Sequence, residues 1–428
     1  MRRVFPIIEG DSVFYFIDCM RSAMRNSDND LEKHNANLLL KSATAIFVVK
    51  LKMKILLLGE YSNVHATLAK GLRAQGHDVT VASNGDDWKN YPRDIDLQRK
   101  SAHVADTMNF LYRLGRALPK MKGYDVVQLI NPVFIDLKAE RITPIYRFLR
   151  RNNKKIILGA FGMDYYYAKA CLDCTTFRYS DFNIGSELRN NPDTELFVSE
   201  WINGEKGELN RMIAEDCDGI VSGLYEYDAA YRLEFPEKTQ FIPFPIDLSE
   251  ITIRESAAQK QKTRFFIGIQ RNRDAYKGTD IMYRALVQLA KKYPDRIEIV
   301  RAESVPFEKY CKMMDRCDVL LDQLYSYTPA MNALLAMAKG LVVVGGGEEE
   351  NYTILNEKTL RPIVNVTPSQ EDVFNKMEEL ILHPDNIVRR SKESIEYVRQ
   401  HHDLNKVTQQ YIAFWNSVGN TKSPNIIE

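Results

Sequence analysis

The chain has 428 residues, 45% of them hydrophobic and 27% charged, with a formal net charge of +1 at pH 7. That length exceeds one ordinary core and predicts two domains of roughly 150–200 residues. The composition excludes a disordered or fibrous chain, and the near-zero charge excludes a global field that would gather nucleic acid. Six cysteines, at 19, 171, 174, 217, 311 and 317, do not make a disulfide framework in a chain this long and fit a reducing cytoplasm. No stretch reaches the roughly 18 apolar residues that a membrane-spanning helix needs.

Residues 1–52 carry no clean helical or strand period, and the polar run 27–34 interrupts them. Arg2-Arg3 is followed by an apolar stretch broken by Glu9 and Asp11, without a small-residue cleavage site, which argues against a secretory signal. Met53-Lys-Ile-Leu-Leu-Leu-Gly59 then reads like the start of a protein. Residues 1–52 are therefore expected to be an upstream translation or a dispensable extension, the other reading being a helical arm over 37–49.

From Met53 the pattern is α/β. A buried strand is predicted at 54–59, a helix at 66–75 with Leu68 and Leu72 on one face, and a second strand at 78–83 after Gly76. Further strands are predicted at 125–130, 155–159, 219–222 and 239–242, with helices between most of them, which argues for a parallel sheet covered on both faces. The two prolines of Phe241-Ile-Pro-Phe-Pro-Ile-Asp247 and the polar run after them mark a domain boundary. A second series starts at Arg264: a strand over 264–270, a helix over 279–292, strands at 297–300, 319–321 and 341–344, and two helices between 370 and 400. The expected organisation is an extension (1–52), an acceptor-side domain (53–246) and a nucleotide-binding domain (247–401). A last helix within 402–418 packs back on the first domain. Both domains would be Rossmann-like and doubly wound, facing across a cleft, because ligands of such sheets bind beyond the carboxyl ends of the strands.

The strand 264–270 empties into Arg271-Asn-Arg-Asp-Ala-Tyr-Lys-Gly278. Lys277 and one of Arg271 and Arg273, at a strand end, suit a diphosphate; the alternative is solvated loop charge. A helix starting at Pro329, capped by Ser326 or Thr328, would aim free N–H groups at an anion. Glycines 345–347 would let backbone approach a nucleotide, or form an ordinary turn.

These segments carry a resemblance. From Met53 to about Trp415 the chain resembles GT-B glycosyltransferases of the family-4 type. The matching residues are Met53–Gly59 with Gly76-His-Asp-Val-Thr-Val81, Tyr124-Asp-Val-Val-Gln128, Asp218-Gly-Ile-Val-Ser222 and Ile242-Pro-Phe-Pro-Ile-Asp247. Gly268 with Arg271 or Arg273 and Lys277-Gly278, Cys317-Asp-Val-Leu-Leu321 and Leu335-Ala-Met-Ala-Lys-Gly-Leu-Val-Val344 continue it. The resemblance implies transfer of a sugar from a nucleotide-sugar to a glycan or lipid-linked glycan, usually with retention and without a metal or other cofactor. It places Arg271, Arg273, Lys277 and Asp164 in the catalytic machinery and Gly268, Ser326, Tyr327, Thr328, Asn332, Gly346 and Glu349 on the donor. One departure stands out: the family's Glu-x7-Glu pair, which contacts the sugar and the ribose, is replaced by Tyr327 and Leu335. Asn332 or the run Glu348–Glu350 could take over hydroxyl recognition. A binding protein without transfer activity, a nucleotide-sugar epimerase and a structural partner of an active transferase stay open beside the transferase.

On the acceptor side, Phe161-Gly-Met-Asp164 resembles the family's His-Gly-x-Asp, so Gly162 and Asp164 are candidates, Asp164 either orienting a hydroxyl or capping the next helix. Tyr61, Asn63 and His65 follow the first strand and face the same cleft, with a surface or capping role the other reading for His65. Asp94-Ile-Asp96 and Cys171-Leu-Asp-Cys174 read as incidental, not metal or redox motifs. The cations around helix 143–155 (Arg147, Arg150, Arg151, Lys154, Lys155), with Arg141 before it, form either a solvated face or a peripheral contact with the inner face of a membrane.

Overall fold

The computed structural model describes residues 52–253, 262–269, 274–303 and 305–419. The extension up to residue 51, with its helical-arm alternative, and the cations Arg271 and Arg273 lie outside the described residues. From Met53 on the chain forms one compact unit.

Two parallel sheets organise it. The first contains β1 (Lys54–Leu58), β2 (Asp78–Ser83), β3 (Ile95–Asp96), β4 (Val126–Leu129), β5 (Lys155–Ala160), β8 (Gly219–Ser222) and β9 (Thr239–Phe241), in the order β3-β2-β1-β4-β5-β8-β9. Between β5 and β8 the chain makes a small antiparallel hairpin, β6 (Asn183–Ile184) with β7 (Glu187–Leu188). The second sheet contains β10 (Thr263–Ile269), β11 (Ile297–Glu303), β12 (Val319–Leu321), β13 (Val342–Gly345) and β14 (Val364–Asn365), in the order β11-β10-β12-β13-β14. This is the α/β, Rossmann-like architecture expected from the alternation of strands and helices.

The central strands are apolar on both faces because helices cover both. Ile55, Leu56, Leu57 and Leu58 are all fully buried, as are Val319 and Leu320. Leu57 pairs with Val81 on one side and Gln128 on the other; Phe266 pairs with Val300 and Leu320. The first helix buries Leu68 and Leu72, but spans Val64–Ala74, starting earlier than its periodicity predicts. The Glu60 carboxylate accepts from the free N–H groups of His65 (3.2 Å) and Ala66 (2.8 Å) and so supports the earlier start.

The chain crosses back at its end. Ile246 and Leu404 exchange backbone hydrogen bonds with His402 and Ile246, and helix Leu404–Ser417 then packs on helix Val64–Ala74. A Cβ on Gly71 would lie 2.1 Å from Thr408 Oγ1, so only glycine admits this approach. Trp415 Nε1 donates to Gln128 in β4, and Lys155 Nζ donates to the Trp415 carbonyl at 2.6 Å.

Candidate active site

A cavity of about 910 Å³ lies between the two sheets. One wall follows β1 and β2: Ser62 and Asn63, both in left-handed conformation, then Trp88, Lys89 and Tyr91. The Ser62 N–H donates to Asp86 at 2.8 Å, which ties the two loops of this wall together.

The opposite wall is built at the carboxyl ends of β10, β11 and β12 and by the start of helix Met331–Ala338. Gly268, in β10, is required there, because a Cβ would lie 2.6 Å from the Tyr310 hydroxyl. That hydroxyl donates to Asn332 Oδ1 (3.0 Å), and Asn332 Nδ2 donates to Asp322 Oδ1 (2.9 Å), a chain of three side chains along the wall. Burial holds the Asp322 carboxyl above its ordinary pKa, opposed by the Asn332 hydrogen bond and the Lys277 charge. Lys277 and Leu335 complete this side of the cavity.

Of the expected site residues, Gly268, Lys277, Asn332 and Asn63 therefore meet at one cavity. The remaining donor candidates have other surroundings. Ser326 donates its hydroxyl to the Thr328 carbonyl at 2.6 Å. The helix expected from Pro329 begins instead at Met331, with no side-chain cap, because Thr328 is engaged elsewhere. Its N–H (3.2 Å) and hydroxyl (2.5 Å), with the Tyr327 N–H (2.6 Å), donate to the buried carboxylate of Glu226 from the first half. Tyr327 is buried: its hydroxyl accepts from the Arg178 N–H at 2.7 Å and its ring stacks with Tyr225. Gly346 makes room for the neighbouring backbone, since a Cβ would lie 2.3 Å from the Ser326 carbonyl. Glu349 is exposed and pairs with Arg361 at 3.2 Å, while Glu348 accepts from Tyr179 (2.6 Å) and Arg178 (3.0 Å), and Arg178 also pairs with Glu350.

Segment 173–204 thus grips the second half in two places. Arg178 and Tyr179 hold one side. On the other, the Arg189 guanidinium donates to Ala275 O (2.7 Å) and Tyr276 O (3.3 Å) and lies 3.4 Å over the Tyr325 ring, while Tyr276 donates to Asp181 at 2.6 Å. Sequence reasoning missed this clasp, and with it Glu226; it also missed Asp322, although a carboxylate directly after a predicted central strand is a readable signal.

On the acceptor side, Tyr61 and Gly162 are neighbours, a Cβ on Gly162 lying 3.1 Å from the Tyr61 ring. Asp164 takes the capping role: it is fully buried and accepts from the Tyr167 N–H (2.9 Å) and the Tyr231 hydroxyl (3.0 Å). Burial raises its pKa to about 7. His65 is also fully buried, neither a surface residue nor a cap; its Nδ1 lies 2.8 Å from the Gly59 carbonyl, and burial lowers its pKa to about 4.

Asp94 and Asp96 lie at edge strand β3 and not in a free loop, and both are ion-paired, Asp94 to Arg73 (2.5 Å) and Asp96 to Arg93 (2.7 Å) and Arg113 (2.8 Å). Among the described residues no group of three metal-ligating side chains occurs, and no helix is long and apolar enough to cross a membrane.

No protein-family model and no curated protein matches the chain. Solved structures do. Sucrose-phosphate synthase from Thermosynechococcus elongatus aligns over 85% of this chain and 98% of its own, at 13% identity and a TM-score of 0.56. HepE from Anabaena, in complex with UDP and glucose, aligns over 85% and 100% at 13% identity and a TM-score of 0.54. WaaG, a glycosyltransferase involved in lipopolysaccharide biosynthesis, aligns over 85% and 99% at 14% identity and a TM-score of 0.51. The chain has the GT-B fold. Likeness at this identity establishes a glycosyltransferase-like architecture, two Rossmann-like halves with a cleft between them.

Proposed function

We propose that the protein is a family-4-like glycosyltransferase, divergent at the Glu-x7-Glu pair. It moves a sugar from a nucleotide-sugar to a glycan or lipid-linked glycan in polysaccharide or glycoconjugate biosynthesis, at the cytoplasmic side. The carrying observation is the cavity itself: about 910 Å³ beyond the carboxyl ends of β10 and β12, with Lys277, Asp322 and Asn332 in its wall.

The chemistry follows from the leaving group. As the glycosidic bond breaks, the nucleoside diphosphate gains negative charge, and a fixed cation beside it stabilises the transition state more than the ground state. Lys277 has that role, with Arg271 or Arg273 beside it in sequence. Asn332 and Asp322 offer a donor and an acceptor for hydroxyl groups in place of the absent glutamates. Retention and independence from metal and cofactor belong to the same reading. A UDP-type donor is the first choice because HepE is also solved with UDP-glucose, at 12% identity and a TM-score of 0.54.

The test is a panel of UDP-, GDP- and other nucleotide-sugars, assayed for binding and for donor consumption with and without glycan acceptors. Consumption that depends on Lys277 supports the transferase. The replacement of both glutamates favours one second reading, a nucleotide-sugar-binding protein without transfer. That reading wins if nucleotide binds, no donor is consumed with any acceptor, and Lys277→Ala changes affinity alone.

A further inference from the structure

Helix Val104–Ala117 turns Phe110, Leu114 and Ala117 into the core. Its other side carries Val104 (79% exposed), Met108 (62%) and Tyr112 (63%). These three are spaced i, i+4, i+8, so they line one stripe. Isolated exposed apolar residues are ordinary, but three large ones in line on one helix mark a contact surface.

Positive charge prevails in the sequence around this stripe. Residues 99–122 contain Arg99, Lys100, Arg113, Arg116, Lys120 and Lys122 against a single acid, Asp106. Arg99 pairs with Asp136 and Arg113 with Asp96, while Lys100, Arg116, Lys120 and Lys122 are exposed. Asp106 is occupied by the Ser101 hydroxyl at 2.5 Å. Helix Ala139–Asn152, the basic helix singled out by sequence, also carries exposed cations, Arg141, Arg147 and Arg151, but differs in its apolar side. Its apolar side chains Ile142, Ile145, Tyr146 and Leu149 are buried. Arg150 is held by Asp218 and Asp216, Lys154 by Asp125, and Lys155 by the Trp415 carbonyl.

We propose that the Val104–Met108–Tyr112 stripe, flanked by Lys100, Arg116, Lys120 and Lys122, seats the protein on an anionic lipid surface. An apolar stripe that enters the headgroup region, ringed by cations that meet lipid phosphates, is the combination that interfacial helices use. A second copy of the chain fits less well, because a two-fold contact through this face would set like charges opposite one another. The seat also lies beside the cavity. Arg113 donates to the Gln98 carbonyl and Gln98 Nε2 donates to the Asp87 carbonyl (3.4 Å), next to Trp88, which is 60% exposed and lines the cavity wall. The proposal stands independently of whether the cleft transfers a sugar.

The test is co-sedimentation of the full chain with vesicles of phosphatidylcholine alone and of phosphatidylcholine with phosphatidylglycerol, at low and physiological salt. Binding is expected only to the anionic vesicles and to weaken with salt. Lys120→Ala with Lys122→Ala should lower it roughly 25-fold, about fivefold per cation. Met108→Ser with Tyr112→Ser should lower it at least about tenfold. All four side chains are exposed, so folding persists, which circular dichroism checks. Arg141→Glu with Arg147→Glu, on the other basic helix, should leave binding intact. Three results overturn the proposal: no binding to anionic vesicles at low salt, binding undiminished in both double variants, or loss only in the Arg141/Arg147 variant. Self-association that Met108→Ser with Tyr112→Ser abolishes, without vesicle binding, would assign the face to a second copy instead.

Discussion

Glu226→Ala tests how the two halves are held together. The carboxylate comes from helix Tyr225–Arg232 in the first half and is buried. It accepts from three donors of the second half: the Tyr327 N–H, the Thr328 N–H and the Thr328 hydroxyl. Burial raises its pKa, with the Thr328 hydroxyl first among the groups that oppose the rise. Removing it leaves the donors without their acceptor, and each buried unsatisfied group costs about 1–3 kcal/mol. The hydroxyl can rotate to another partner, so the two backbone groups dominate and the expected loss is about 3 kcal/mol. Urea denaturation reads this as a lower midpoint. A cycle with Thr328→Val isolates the link between halves, with an expected coupling of about 1 kcal/mol or more. A loss for Glu226→Ala below about 0.5 kcal/mol, together with zero coupling, would refute the assignment of Glu226 as the acceptor that joins the halves.

Lys277→Ala should weaken UDP binding roughly tenfold or more, the scale of one charge-assisted hydrogen bond; unchanged affinity in titration calorimetry would remove Lys277 from the donor site. Leu335→Glu places a carboxylate on the cavity wall where Leu335 now stands. It should raise affinity for UDP relative to inorganic pyrophosphate, and an equal change for both ligands would show that position 335 does not face the ribose. Glu60→Gln should alter the pH dependence of stability. Burial raises the Glu60 pKa from its ordinary 4.5 to about 8, so the folded chain holds a proton that the unfolded chain releases between those values. Stability from this group is full below pH 4.5 and is lost as pH rises through about 8. Asp164, raised to about 7, acts in the same direction, whereas buried His65, lowered to about 4, loses stability as pH falls below 6.5. Above pH 7 Glu60 is thus the chief of these three, and melting temperatures of Glu60→Gln should fall less between pH 7 and 8; a decline as steep as in the parent chain would contradict the burial effect.

The sheets were legible because their strands are buried on both faces and so are written as unbroken apolar runs, such as Ile55–Leu58 and Val342–Val344. The shift of the first helix to Val64 was not, since it depends on where the Glu60 carboxylate reaches and not on periodicity. Segment 173–204 was illegible for a different reason: its elements are two to six residues long, and Arg178 meets partners 149 to 172 positions away. Of the candidate site, the residues at strand ends and at the helix start (Gly268, Lys277, Asn332) could be read, because topology alone brings such positions to a cleft. Asp164 and His65 could not be resolved from sequence, because a buried polar residue and a cleft residue leave the same local signature. Only the partners, Tyr167 and Tyr231 for the one and Gly59 for the other, distinguish them.

Tyr327 and Leu335, the two positions where the proposed resemblance expects glutamates, stand in different surroundings. Leu335 lines the cavity, so a substitution there changes what a ligand meets directly. Tyr327 is not among the residues that line this cavity. Its N–H is bound to Glu226, and its side chain lies among Phe177, Tyr179 and Tyr225. A glutamate there would place a second carboxylate on the residue that Glu226 already touches, in an aromatic setting where burial disfavours charge. Tyrosine fits that setting: it gives its ring to the cluster, a face for the Arg178 guanidinium at 4.9 Å, and its hydroxyl oxygen to the Arg178 N–H. The clasp therefore disfavours a carboxylate at 327, whereas it does not bear on position 335. A glutamate at 335 alone is then compatible with the fold, and one at 327 is not unless Glu226 changes with it.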